Sequence, residues 1–276
     1  MRTRVIVVAV MLWILALSAR AFLLLQERRI ASDTIAPWSL TNEWHFLFED
    51  DTNTTDVTDE ENYFDTMITR PLGNTSDDVS ASGKLLKCFT YDGVDDYLAD
   101  TGDNAAWYKS FKDGDKAVML WLNTDNWADT NQQIFGTAQS SVDFTLGVVP
   151  GNVFRWSLSD SDGDTVTVDY STTNFSDGTW YHITVTWDES DGIIEMFVDA
   201  QSIGSATNAN LINGDFDDLG PAKDFRIGAR KNSSNDEDNF WDGEIDDARG
   251  LNFIPTQAQI DGIYNNGNGT QDDSGP

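Results

Sequence analysis

The sequence predicts an all-β domain of two antiparallel sheets packed face to face, preceded by one hydrophobic helix. Three observations carry this. Apolar residues recur with a period of two: in YHITVTWD, Tyr181, Ile183, Val185 and Trp187 face one way, and His182, Thr184, Thr186 and Asp188 the other. Turn dipeptides fall between such runs, at Asp113-Gly114, Asp162-Gly163, Asp177-Gly178 and Asp191-Gly192. Inside the domain only Pro255 to Tyr264 has a helical pattern. Pro255 suits a first turn, and Ile260, Ile263 and Tyr264 form one apolar side.

The elements follow in chain order. Arg2 and Arg4 precede the apolar run VIVVAVMLWILALSA, which Arg20 interrupts before AFLLLQ and Glu27-Arg28-Arg29. Residues 1–30 read as a signal anchor or a signal peptide. Val5 to Leu25 is 21 residues, about the length that spans a bilayer core, and Ala19-Arg20-Ala21 has the form of a cleavage site. Hydrophobicity resumes beyond Ala21, which favours the anchor. Residues 31–40 form a juxtamembrane linker. A strand is expected at Trp44-His45-Phe46, followed by the acidic loop EDDTNTTDVTDEEN. LLKCFTY supplies the next strand, with Cys88 as a small core residue. AVMLWL, Ala117 to Leu122, is apolar on both faces, as in a strand covered on both sides. Phe154, Trp156 and Leu158 alternate, as do Val166, Val168 and Tyr170. Asp191-Gly192 sits in the hairpin VTWDESDGIIEMFVD. The domain is expected over residues 41–268, with a polar tail at 269–276.

Composition narrows the function classes. The chain holds 47 acidic and 17 basic residues. Residues 31–276 alone carry a formal charge of −34. Nucleic-acid binding needs a basic footprint, so that partner is excluded. One cysteine allows no intrachain disulfide. Two distant histidines give neither a zinc pattern nor a nucleophile–base pair.

Several motifs together resemble a laminin-G-like, concanavalin-A-like jelly-roll domain. They are CFTYDGVDDYL, DGTWYHITVTW, the VDA hairpin, RIGAR, and GEIDDARG ahead of the helix that ends in IDGIY. The resemblance covers about Trp44 to Tyr264. It implies a jelly-roll sandwich, of a kind that binds sugars, binds proteins or only packs against neighbours, and fold does not choose among these. His182 occupies the position of the family's YHI histidine, which is structural.

The candidate sites follow from residue chemistry and from that resemblance. Asp92, Asp95 and Asp96 in the DGVDDY loop, and Asp246 and Asp247 in EIDDAR, are expected to converge on a rim. Converging carboxylates with loop carbonyls suit a structural Ca²⁺. The loop Asp160-Ser161-Asp162-Gly163-Asp164 lacks the glycine and glutamate positions of an EF-hand and reads as a hairpin tip. Glu244-Ile245-Asp246 begins the Glu-x-Asp-x-x-Glu strand of laminarinase-type glucanases, but Arg249 stands where the second glutamate is needed. The domain is therefore expected to be non-enzymatic. Ten tryptophans are many. Trp121, Trp156, Trp180 and Trp187 fall in strand patterns and belong to the core. Trp107, Trp127 and Trp241 lie near loops rich in Asn and Asp. With Arg155 they are the candidate contacts for a sugar, which needs a flat apolar face and polar groups for its hydroxyls. The sequons at Asn53, Asn74, Asn174, Asn232 and Asn268 all fall in polar loops.

The expected function is a surface-displayed or extracellular adhesion module for glycans or a surface protein, held to the membrane by its N-terminal helix. The alternative is a structural subunit of a filament, envelope or virion, in which the chain would form a homo-oligomer or larger assembly.

Overall fold

The computed structural model describes residues 40, 42–49, 56–57, 59–61, 67–70, 79–80, 82–100, 114–128, 131–137, 143–212, 214, 216, 225–231 and 236–273. At 56, 67–70, 79–80, 100, 143 and 231 only the backbone is described. The N-terminal apolar run lies outside these residues. Among the described residues no helix is long and apolar enough to cross a membrane.

Among the described residues every strand pairing is antiparallel, and two large sheets form. The first sheet runs β14 (Gln201–Thr207), β13 (Ile193–Val198), β12 (Tyr181–Asp188), β7 (Lys116–Asn123), β18 (Asp242–Leu251), β5 (Cys88–Asp92) and β4 (Val79–Ser80). The second runs β11 (Thr165–Ser171), β10 (Val153–Ser159), β9 (Asp143–Val149), β8 (Gln132–Thr137), β15 (Arg226–Ile227), β6 (Tyr97–Asp100), β3 (Met67–Arg70) and β2 (Asp56–Val57). A short ribbon, β16 (Arg230–Lys231) with β17 (Glu237–Asp238), lies beside β8. β1 (Trp44–Phe46) joins the first sheet beside the end of β18.

The core lies between the sheets, where the period-two pattern puts it. Ile183, Val185 and Trp187 of β12, with Val118, Leu120 and Leu122 of β7, meet Phe144, Leu146, Trp156 and Leu158 from the second sheet. Trp156 Nε1 donates across the gap to the Thr186 carbonyl at 3.2 Å. Trp121, Trp156 and Trp187 are buried as expected, whereas Trp180 precedes β12 and is half-buried.

The outer face of the first sheet is also covered, so β7 is buried on both sides. The cover is the helix α1 (Gln257–Tyr264) and the segment that follows it. Tyr264 stacks on Trp121 at 5.9 Å. The expected helix begins two residues late. Thr256 is its N-cap, its hydroxyl accepting from Gln259 N while Gln259 reaches back to the cap amide, so Pro255 stays outside the first turn. Residues 269–273 pack on the domain. Arg249 donates to the Thr270 carbonyl at 2.7 Å and pairs with Asp273, and Leu40 N donates to the Asp273 carbonyl at 2.9 Å. Leu40–Asp273 is one compact unit.

A polar cleft at the uncovered end of the sheet

β18 has β7 along one side and changes its partner on the other. Residues 242–245 pair with β5 and residues 248–250 with β1. The change falls at a bulge between Asp246 and Arg249, where Asp247 adopts a left-handed φ of 50°. The bulge divides the outer face of the sheet into two districts.

The covered district lies beneath Tyr264 of α1 and the segment around Lys84 and Leu85. Asp246 and His182 both lie beside Trp121 in the sheet register. Asp246 is fully buried; its Oδ2 accepts from Leu85 N at 2.7 Å, and its Oδ1 has no partner. Burial pushes this carboxyl up to about 8, helped by the nearby Asp247 and Glu49 charges. His182 is buried with both ring nitrogens unpartnered, and burial holds its pKa down to about 3. Asp247 differs. Burial opposes its ionisation, yet the Arg249 guanidinium at 2.9 Å and His45 Nε2 at 2.7 Å hold it below the usual carboxylate range.

The uncovered district is a cleft of about 350 Å³. Its floor is one row across three strands: Thr90 of β5, Glu244 of β18 and Asn123 of β7 are lateral neighbours. The adjacent row, Phe89, Ile245 and Leu122, points into the core, so period two sends the floor residues outward. The turn after β7 makes one wall. The Thr124 hydroxyl donates to the Asp242 carbonyl, Asn126 N donates to the Thr124 hydroxyl at 2.9 Å, and Gly178 N donates to the Thr124 carbonyl at 3.0 Å. Asn123 Nδ2 donates to Glu244 Oε2 at 2.8 Å, and Asn126 Nδ2 to Asp242 Oδ2 at 3.1 Å. Asn123 Oδ1 is buried with no partner. Asp125 completes the lining.

The structure disperses the residues singled out in the sequence. Trp127 and Trp241 are both buried, with their rings 5.8 Å apart edge to face, and Trp127 stacks on Phe175 at 4.3 Å. They back the cleft wall and offer no face to a sugar ring. Arg155 makes a bidentate pair with Asp169 on the next strand, at 2.7 and 2.8 Å. Trp107 lies outside the described residues. Of the five sequons, Asn174 and Asn268 are described, and both are exposed.

Asp92, Asp95 and Asp96 do come together, with one carboxylate oxygen from each within 4.8 Å of the others. Part of that set serves the turn itself: Asp92 Oδ1 accepts from Val94 N and Asp95 N, and Asp96 Oδ2 from Asp92 N. Asp246 and Asp247 do not join it, since their partners are Leu85, His45 and Arg249. The five carboxylates therefore do not close on one ion. Asp160 behaves as a hairpin tip: its Oδ1 accepts from Asp162 N at 3.1 Å and Asp164 N at 2.9 Å.

The segments NTDNWADTNQQ and NFWDGE both reach the cleft, through Asn, Asp and Glu side chains and not through Trp. The indoles turn inward, and their neighbours Asn123, Asp125, Asn126, Asp242 and Glu244 line the cleft. The signal was the amide and carboxylate content of those segments.

A family profile described as the Concanavalin A-like lectin/glucanases superfamily matches residues 92–261. No curated protein matches the chain in sequence. Among solved structures, the receptor binding domain of botulinum neurotoxin C/D mosaic serotype is similar, with a TM-score of 0.57 and 14% identity over 81% of this chain and 51% of that one. The binding domain of botulinum neurotoxin DC, in complex with rat synaptotagmin II, matches with a TM-score of 0.57 and 13% identity over 81% and 51% of the two chains. A structure titled NanB plus Optactamide matches at a TM-score of 0.51 and 12% identity, over 63% of this chain and 26% of that one. The chain spans about half the length of the neurotoxin binding domains. At these identities the likeness is one of fold.

Proposed function

We propose, for a chain that belongs to the Concanavalin A-like lectin/glucanases superfamily, a non-enzymatic binding module that holds a glycan in the cleft floored by Thr90, Asn123 and Glu244. One observation carries the reading: three polar side chains, Thr90, Glu244 and Asn123, form one row across the floor of a cleft, with the Glu244 carboxylate oriented by the Asn123 amide. Hydroxyl, amide and carboxylate groups set around a cleft are the partners that a sugar's hydroxyls need. The cleft volume lies within the range of small-molecule sites. Glycosidase chemistry lacks support: the strand position for a second glutamate holds Arg249, which is buried against Asp247. The similar structures titled as binding domains agree with a binding role and leave the choice between sugar and protein to experiment. Display at the cell surface, with the N-terminal run as anchor, is part of this proposal.

The test is a glycan array followed by calorimetry on the folded domain. Asn123→Ala is expected to weaken the best glycan at least about tenfold, a loss of some 1.4 kcal/mol. Binding to no glycan, or binding that survives this change intact, would sink the reading. Glycan hydrolysis that Glu244→Gln abolishes would make the chain an enzyme instead.

A further inference from the structure

We infer that the cleft continues into a second ring subsite at Trp121, closed in this structure by the loop of residues 83–87, which acts as a lid. The inference rests on the glycan reading above and adds to it a subsite and a gate.

Continuity with the cleft comes first. The floor row of Thr90, Glu244 and Asn123 has a neighbouring outward row on the same face. Asp246 lies two residues after Glu244 on β18, Trp121 two before Asn123 on β7, and His182 pairs beside Trp121 on β12. Two residues along a strand span about 7 Å, so the second row directly extends the first. An indole flanked by a carboxyl and an imidazole offers a sugar a flat apolar face and polar groups for its hydroxyls.

The second observation is what this row lacks. Trp121, His182 and Asp246 are each at most 1% exposed. Trp121 Nε1, both ring nitrogens of His182 and Asp246 Oδ1 have no hydrogen-bond partner among the described residues. Buried polar atoms left unpaired are costly, and here three such side chains stand in one row. Lifting the cover gives them access to ligand hydroxyls.

The cover has a fixed part and a part that can lift. Ile260 and Ile263 of α1 are buried, so Tyr264 stays on Trp121. The loop is tethered mainly by polar groups. Lys84 Nζ lies 4.5 Å from the centre of the Trp121 ring and donates to the Gly267 carbonyl. Leu85 N donates to Asp246 Oδ2 at 2.7 Å, and Lys87 Nζ to the Glu49 carbonyl at 2.9 Å. Gly83 N donates to the Leu86 carbonyl at 3.0 Å, which closes the loop on itself. Leu86 has a left-handed φ of 67° and is 72% exposed. A leucine adopts that conformation only at a cost. Strain in the closed loop and unpaired groups beneath it both favour opening. Lys84, over the indole, holds the place that a sugar ring would take.

The experiment has two arms, both on the folded domain. In the first, amide hydrogen exchange is followed by NMR at low denaturant concentrations, where local and global opening separate. The Leu85 amide is expected to be protected at least about tenfold less than that of Val185 in the core, with little dependence on denaturant. Lys84→Ala should lower that protection further. Leu86→Asn should raise it severalfold, because Asn tolerates the left-handed region. The melting temperature of each variant confirms folding. A Leu85 amide that exchanges only through global unfolding, as Val185 does, would overturn the inference. In the second arm, calorimetry compares glucose, galactose and N-acetylglucosamine with their linear trimers. Lys84→Ala is expected to tighten a trimer at least about tenfold and to leave its single sugar unchanged. A variant that alters both alike, or neither, would overturn the inference and leave the glycan reading standing. Binding of none of these probes would also overturn it, and the array described above then decides the broader reading by itself.

Discussion

At the scale of single residues, ionisation is governed by burial on the covered outer face of the first sheet. Asp246 holds its proton to about pH 8 in the folded chain, whereas an unfolded Asp releases it near the ordinary value of 3.8. The folded state therefore binds more protons between these limits, and its stability falls as pH rises through them. His182 acts oppositely. Its folded pKa of about 3 lies below the ordinary 6.5, so stability falls as pH drops from about 6.5 towards 3. The two slopes oppose each other between about pH 4 and 6.5, and above that the Asp246 slope stands alone. The melting temperature is expected to decline by several degrees from pH 6.5 to 8.5, and Asp246→Asn to remove most of that decline. His182→Gln should unmask the Asp246 slope at lower pH, so that melting temperature falls steadily from about pH 4. A wild-type profile flat across pH 6.5–8.5 would refute the assignment to Asp246.

At the scale of elements, two local devices position both districts of the sheet. The capping box at Thr256 starts α1 and so sets how the helix lies over Trp121 and His182. Thr256→Ala should cost about 1 kcal/mol, seen as a drop of about 2–4 °C in a thermal melt. The second device is the end of β18, where Gly250 lets the Trp44 indole of β1 lie directly on the strand. A Cβ at 250 would overlap that ring, which is fully buried and has no room to retreat. Gly250→Ala is therefore expected to destabilise by more than about 2 kcal/mol, read from urea unfolding. A near-neutral result would mean that β1 pairs more loosely than its register indicates. These devices also explain why the helix and the strands were legible in sequence. Caps, glycines and period-two alternation act within a few residues of one another.

At the scale of the whole molecule, charge and topology separate. Repulsion among the excess carboxylates acts over the full surface, so the melting temperature should rise as NaCl screens it, before any specific ion effect. A melt that is independent of salt up to about 0.5 M would show that ion pairs such as Arg155–Asp169 already neutralise the field. Topology, for its part, builds the cleft. Asn123 and Glu244 are 121 residues apart in the chain and become neighbours because β18 inserts between β7 and β5.

The sequence by itself determined the sandwich, its strand alternation, the helix before Tyr264, the turn-capping role of Asp160 and the acidity of the chain. Each follows from local periodicity or from summed composition. Tertiary structure alone decided which way the indoles of Trp127 and Trp241 turn, because alternation shows that a residue is apolar without showing which face is covered. It also parted Asp246 and Asp247 from Asp92, Asp95 and Asp96, by burying the first pair against Leu85, His45 and Arg249. The cleft arose in the same way. It is the part of one sheet face that α1 and the following segment leave open, and no stretch of sequence shorter than the whole fold encodes where that cover stops.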